Sequence, residues 1–362
     1  MTSFYAVIMA GGTGTRLWPA SRRDRPKQSL KLVGNRTMFE HAVDRISAVF
    51  QPEQILVVAG SEHVSDLAHQ APELPTDNFI VEPVGRGTAP AIGLGAIHLR
   101  AHDPDAVMAV LTADHFIANV ERFRRALGAA AEIAEAGYLV TLGIEPASPS
   151  TGYGYIHQGE KIDQIDGFSV FDVQRFTEKP SRETALHMVE SGEYTWNSGM
   201  FIWRADRILE EFQTQMPDFY VKLAEVEAAL GTRGYQPTLD RVWPQVTKQA
   251  IDYGVMEGAG DVAVIPVDIG WSDVGSWASL AELLAEIGNQ DDGGNVVVGQ
   301  HTGIDTTESL IFGGERLIAT IGLEGMIVVD AGDAILVCPM GREQDVRDIV
   351  HRLEKQELEE YL

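Results

Sequence analysis

Cysteine is almost absent from this chain: Cys338 is the only one in 362 residues. An internal disulfide is therefore excluded, and nothing in the cysteine usage points to an oxidising compartment. No apolar run reaches the roughly 18 residues that a membrane-spanning helix needs. The first apolar run, Phe4 to Ala10, lacks the basic flank of a secretory signal. These absences predict a cytoplasmic protein. A Gly-Lys pair is also missing, which excludes the P-loop pattern G-x-x-x-x-G-K-[ST]. Gly12-Thr13-Gly14 begins a dinucleotide fingerprint, but Leu17 stands where a third glycine must let helix and strand pack closely. A nicotinamide dehydrogenase is thus a poor fit. Basic residues are scarce, 28 against 53 acidic ones, for a net charge of −25. That surplus opposes nonspecific binding to nucleic acid or acidic membranes, which requires phosphates to be neutralised over a wide face.

The few cations are not spread evenly. Residues 16–31 carry Arg16, Arg22, Arg23, Arg25, Lys27 and Lys31 against the single acid Asp24, leaving 22 basic against 52 acidic residues elsewhere. This basic stretch follows directly on Phe4 to Ala10, an unbroken apolar run that suits a strand buried on both faces. Between them lie Gly11, Gly12 and Gly14. A glycine-rich loop at the carboxyl end of a buried strand can aim several backbone N–H groups at one anion, phosphate above all. Such turns are common and say little alone. Joined to the local charge, this one points to a small polyanionic ligand held in one cationic pocket.

Beyond the loop, apolar residues at 39, 42, 43 and 46 have helical spacing, and Thr37 with Glu40 forms a capping-box pattern. Strands are predicted at 55–59, 79–81, 106–111 and 138–144, with helices at 61–70, 88–101 and 121–136 between them. This alternation predicts an α/β fold, a doubly wound, mostly parallel Rossmann-like sheet with helices on both faces. Ligands of such sheets sit outside the carboxyl ends of the strands, where 11–15 and Thr112 to His115 both fall. The middle of the chain differs: 151–156 and 167–177 alternate like antiparallel strands, 200–203 and 262–267 read as further strands, and 277–287 as helix. A Gly- and Asp-rich shift at 288–294 places a boundary, giving domains at 1–288 and 294–362. In the latter, short strands at 296–298, 310–312, 317–320, 326–329 and 334–337 suggest a small β-solenoid or barrel. A final amphipathic helix in 342–361 could serve a homodimer or pack on its own domain.

The ordered motifs carry a resemblance. Gly11-Gly12-Thr13-Gly14-Thr15-Arg16-Leu17-Trp18-Pro19-x-Ser21-Arg22 resembles the N-terminal motif of the sugar-1-phosphate nucleotidylyltransferases. Trp-Pro-x-Ser-Arg and Pro26-Lys27-Gln28 resemble the bacterial mannose-1-phosphate guanylyltransferases in particular. The likeness continues through Glu82-Pro83-x-Gly85-Arg86, Thr112 to His115, Thr151 to Ile156, Phe176-x-Glu178-Lys179-Pro180, Trp196 to Phe201 and Trp271 to Trp277. Members that also carry a mannose-phosphate isomerase domain are longer, and this chain is expected to lack one.

The resemblance implies transfer of a nucleotidyl group from GTP to α-D-mannose 1-phosphate, dependent on Mg²⁺. Arg16, Lys27, Asp114 and Asp273 match the catalytic positions, and Asp114 with Asp273 the metal ligands. Ala10, Gly11, Gly12, Thr13, Gly14, Thr15, Glu82, Arg86 and Thr88 match nucleotide-binding positions. Gly154, Glu178, Lys179 and Asn197 match those around the sugar phosphate. His115 is expected to be structural, because a phosphate nucleophile needs no base. The chain departs from the family at Gly87, where an asparagine is usual, and at Ser29 and Gly325. Two alternatives stay open: another nucleotide or hexose 1-phosphate, and a non-catalytic sensor of sugar nucleotide, which should have lost the catalytic residues.

Overall fold

The computed structural model describes residues 3–12 and 14–362. Its strands are β1 (Phe4–Ala10), β2 (Ile55–Gly60), β3 (Phe79–Glu82), β4 (Val107–Thr112), β5 (Phe116–Ile117), β6 (Leu139–Ile144), β7 (Gly154–Ile165), β8 (Phe168–Glu178), β9 (Tyr194–Arg204), β10 (Val262–Val267), β11 (Trp271–Ser272), β12 (Val296–Ile304), β13 (Leu310–Ile321), β14 (Met326–Asp330) and β15 (Ile335–Pro339). The α-helices are α1 (Met38–Ile46), α2 (Ser61–Gln70), α3 (Thr88–His102), α4 (Val120–Glu135), α5 (Arg182–Ser191), α6 (Ala205–Gln215), α7 (Pro217–Ala228), α8 (Tyr235–Val242), α9 (Trp277–Glu286) and α10 (Val346–Lys355). None is long and apolar enough to cross a membrane among the described residues. Two compact units result. One takes the chain through Gly11, then 42–113 and 117–271; the other takes 12–41, 114–116 and 272–362.

The first unit is built on a nine-stranded sheet in the order β3-β2-β1-β4-β9-β6-β10-β8-β7. The run β3, β2, β1, β4 is parallel, as the alternation of strands and helices predicts. Burial explains the unbroken apolar run of β1: Ala6, Val7 and Ile8 have no exposed surface. α3 is buried over most of its length, which is why its sequence shows no polar stripe. Met9 pairs with Thr112 across β1 and β4, so the two strands end side by side. The sheet then turns mixed. β9 enters antiparallel between β4 and β6, followed by the parallel β6–β10 pair and the antiparallel β10–β8 and β8–β7 pairs. Strand spacing shows the existence of β9 but not its insertion, because pairing partners so distant in sequence leave no local signal.

The second unit holds the basic loop and the C-terminal segment in one core. Leu17, Trp18, Leu30 and Met38 share it with Trp277 and Leu280 of α9, Leu310, Ile327 and Val329 of the small sheet, and Val346 and Val350 of α10. The Trp277 indole donates to the Trp18 carbonyl (2.9 Å), and the Trp18 indole to the Tyr361 carbonyl (2.7 Å). The small sheet runs β12-β13-β14-β15, parallel except for its last pair. The two short strands expected at 310–312 and 317–320 are a single strand, β13, whose pairing with β12 shifts register between Val298 and Gln300. The Thr37–Glu40 capping box forms: the Glu40 amide donates to Thr37 Oγ1 (3.1 Å) and the Thr37 amide to Glu40 Oε2 (2.6 Å).

Candidate functional site

The glycine-rich loop leaves β1 after the buried Ala10, with Gly11 and Gly12 exposed. Thr13 lies outside the described residues. Gly14 adopts a left-handed conformation (φ 63°, ψ 32°) and caps a short 3₁₀ turn over Thr15–Leu17. A Cβ at 14 would lie 2.6 Å from that of Lys27, so a glycine is required for the Lys27 segment to close on the loop. The Ser21 hydroxyl donates to the Gly14 carbonyl (2.7 Å) and fixes the turn from below.

Lys27 is almost fully buried. Its ammonium donates to Asp114 Oδ2 at 2.9 Å and also to the backbone carbonyl of Asp273. One cation thus gathers two segments that are distant in sequence. Burial pushes the Asp114 carboxyl upward, but the Lys27 ammonium, with His115 beside it, outweighs this and holds it below the usual carboxylate range. The His115 Nε2 lies 3.9 Å from Asp114 Oδ1, in a flanking position. Asp273 Oδ1 accepts from the Gly275 amide (3.0 Å), and the Gly275 carbonyl accepts from Arg16 Nη1 (3.5 Å). Arg16, Lys27, Asp114 and Asp273 therefore form one chain of contacts. Arg22 points elsewhere. It donates to the Pro19 carbonyl and pairs with Asp333 at 2.9 Å.

The donor set suits a hard cation. Asp114 and Asp273 offer carboxylate oxygens only, and among the described residues no group of three or more His, Cys, Asp or Glu could hold a metal. Carboxylate oxygens are ligands for hard cations such as Mg²⁺ rather than for soft ones.

In the first unit, Glu82 ends β3 in a buried position. It accepts from the Trp243 indole (3.1 Å) and from the Arg86 amide (2.8 Å). Burial pushes its carboxyl above the usual range against these hydrogen bonds. The Arg86 guanidinium donates to the Pro244 carbonyl, and Thr88 Oγ1 accepts from the Ile251 amide (2.8 Å). Gly87 explains its own departure from the family pattern. At φ 87° and ψ 179° it occupies a region essentially closed to other residues. A Cβ there would also lie 2.5 Å from the Gln249 carbonyl oxygen. Gly87→Ala is expected to cost about 2–3 kcal/mol, read as a lowered midpoint in urea unfolding; an unchanged midpoint would remove this account.

A second cluster in the same unit follows from strand register. Gly154 of β7 pairs with Glu178 of β8, and Tyr155 with Trp196 of β9, so Asn197 comes alongside. A Cβ on Gly154 would collide with Glu178 Oε2 and touch Asn197 Cβ at 3.4 Å. The Lys179 ammonium pairs with Glu178, and its backbone is left-handed (φ 46°). Tyr153 packs edge-on against both Trp196 (4.9 Å) and Trp271 (5.4 Å). The four residues expected around a sugar phosphate are thus brought together. Sequence reasoning missed Asp252, whose Oδ1 accepts from Asn197 Nδ2 at 2.6 Å. The only available signal was its place in Ile251-Asp252-Tyr253-Gly254, which lies far from every motif it serves. Trp243, the partner of Glu82, was missed for the same reason.

Comparison with known proteins gives consistent likenesses. The nucleotidyl transferase family pattern matches residues 5–290, and that of the MannoseP isomerase/GMP-like beta-helix domain matches 299–353. The chain is 43% identical over 362 residues to mannose-1-phosphate guanylyltransferase ManC of Salmonella typhimurium, covering 97% of this chain and 73% of that protein. It is 41% identical to the mannose-1-phosphate guanylyltransferase of Escherichia coli K12, covering 97% and 74%. A solved structure described as a mannose-1-phosphate geranyltransferase from Thermus thermophilus superposes with a TM-score of 0.86 at 34% identity, over 98% of this chain and 100% of that one.

Proposed function

Since the chain belongs to the mannose-1-phosphate guanylyltransferase family of nucleotidyl transferases, we propose that it joins GTP and α-D-mannose 1-phosphate to give GDP-mannose and pyrophosphate. An oxygen of the sugar phosphate attacks the α-phosphorus of GTP in line. The new P–O bond forms as the bond to the bridging oxygen breaks, and that oxygen leaves with pyrophosphate. Both reactants are polyanions, so the site must position them against mutual repulsion and offset the charge that moves onto the leaving group.

The residues divide these roles. Exposed backbone at Gly11, Gly12 and the Thr15 turn cradles the triphosphate at the end of β1. Arg16 and Lys27 offset charge on the reacting phosphates and on pyrophosphate. Asp114 and Asp273 would hold Mg²⁺, which when bound supplies further charge neutralisation at the phosphates. Glu82, Arg86 and Thr88 lie on the nucleotide side. Lys179 takes the sugar phosphate once it exchanges Glu178 for it, and Gly154, Glu178 and Asn197 line the sugar. No general base is required, because the nucleophilic oxygen is already ionised.

The observation that carries this reading is the single buried Lys27 ammonium bonded to both Asp114 and the Asp273 backbone. A non-catalytic sensor would have no need to keep that assembly. The same proposal places the reaction in the cytoplasm and includes a homodimer through the C-terminal sheet, which exposes Ile304, Leu317, Ile321, Ile335 and Val337. Its test is pyrophosphate release from GTP and mannose 1-phosphate with Mg²⁺, run beside ATP, CTP, UTP and other hexose 1-phosphates. Release with GTP and mannose 1-phosphate well above every other pair is expected. No release from that pair would sink the proposal.

A further inference from the structure

We propose that Asp252 is a specificity-determining residue of the sugar pocket: its Oδ1 fixes the Asn197 carboxamide, and its Oδ2 accepts a hydrogen bond from a hydroxyl of the hexose. This rests on the assignment of Gly154, Glu178 and Asn197 to the sugar.

The Asn197 side chain is held at both ends. Its Oδ1 accepts from the Gly199 amide (3.1 Å), and its Nδ2 donates to Asp252 Oδ1 (2.6 Å). A flipped carboxamide would place donor against donor and acceptor against acceptor, so its remaining N–H and lone pair have fixed directions. Asp252 and the Gly199 amide together set the orientation in which Asn197 can read hydroxyls.

Besides Asn197, the Asp252 carboxylate is hydrogen-bonded by its own backbone amide, and among the described residues no other side chain hydrogen-bonds it. Burial pushes its carboxyl above the usual range; Glu178 acts in the same direction and Lys179 against it, so both lie within electrostatic reach. A partly buried carboxylate with one side-chain partner is costly unless a further donor arrives. A hexose hydroxyl is the donor that the surrounding cluster implies, since Glu178 and Asn197 offer the same hydroxyl-reading chemistry.

Its placement is rigid on both sides. Asp252 opens a π-helical turn, Asp252–Met256, a rare form that recurs at functional sites. The residues before it are pinned to the nucleotide side of the same unit. The Gln249 amide donates to the Arg86 carbonyl (2.9 Å), the Ala89 amide to the Gln249 carbonyl (3.2 Å), and the Ile251 amide to Thr88 Oγ1 (2.8 Å). Residues 249–252 thus run from Arg86 and Thr88 to Asn197.

The test is equilibrium binding of mannose 1-phosphate and its four monodeoxy analogues to wild-type, Asp252→Ala and Asp252→Asn protein. The Asn variant preserves shape should the Ala variant fail to fold. Asp252→Ala is expected to weaken mannose 1-phosphate binding about 10- to 100-fold and to leave GTP binding within about twofold. One monodeoxy analogue should bind the wild-type protein at least about tenfold worse than the parent sugar, yet bind Asp252→Ala no worse than the parent does. Asp252→Asn, which keeps an acceptor for Asn197, should fall between the two. A purely structural role would shift all sugars and GTP alike, and that pattern overturns the inference. Unchanged sugar binding in both variants overturns it alone. Failure of the wild-type protein to bind any hexose 1-phosphate overturns this inference together with the proposed function.

Discussion

Replacing Lys27 with methionine is expected to lower the rate of nucleotidyl transfer by about 10³-fold or more. Methionine keeps much of the length and apolar stem of lysine, so packing against the loop should survive. What disappears is the one buried ammonium that touches Asp114 and the Asp273 carbonyl together. Two losses follow. On the proposed mechanism the reacting phosphates lose a preorganised positive charge, and single donors of that kind are worth about 10²- to 10³-fold each. The Asp114 carboxylate also loses its partner while remaining under the burial that pushes it upward. Breaking a buried pair from one side costs about 3–5 kcal/mol, so a measurable drop in unfolding free energy should accompany the kinetic loss. Steady-state kinetics and urea unfolding of the same preparation separate the two. A variant within tenfold of the wild-type kcat would remove Lys27 from the chemistry.

Asp273→Asn and Asp114→Asn should each lower kcat by about 10²- to 10³-fold with the fold retained. Asparagine matches aspartate in shape, and its oxygen can still accept from the Gly275 amide at 273 or from Lys27 at 114. The substitution therefore isolates the charge. The loss should show as a raised Mg²⁺ requirement in the assay as well as a lower rate, because a neutral amide is a poorer ligand for a hard cation. If both variants turn over at near-normal rates and normal Mg²⁺, the metal assignment to these two residues is wrong. If only the Asp114 variant is impaired, its part reduces to holding Lys27.

Much of this molecule could be read from its residues in order. The apolar run of β1, the capping box of α1 and the strand–helix alternation to β6 depend on neighbours in sequence, and local physics decides them. The glycine-rich loop and its cluster of cations are likewise local, and so was the expectation of a bound polyanion. Residue identity also told that Asp114 and Asp273 end strand-like runs, and the family motif named them as partners. What the motif could not supply was the atom that joins them.

That atom is Lys27 Nζ, and only the tertiary structure places it. The same holds for the antiparallel entry of β9, which brings Asn197 alongside Gly154 and Glu178, and for Asp252, which has no motif of its own. It holds too for the alliance of loop 12–41 with the C-terminal sheet and α10 in a single core. The Trp18 and Trp277 indoles tie the basic loop to α9 and to Tyr361. The physical reason is common to all of these. Periodicity and propensity report which face of an element is apolar, but they carry no information about which distant face will cover it. The elements, the glycine-rich basic loop and the family motifs are legible in residue order. Which charged and polar groups meet was decided by long-range packing.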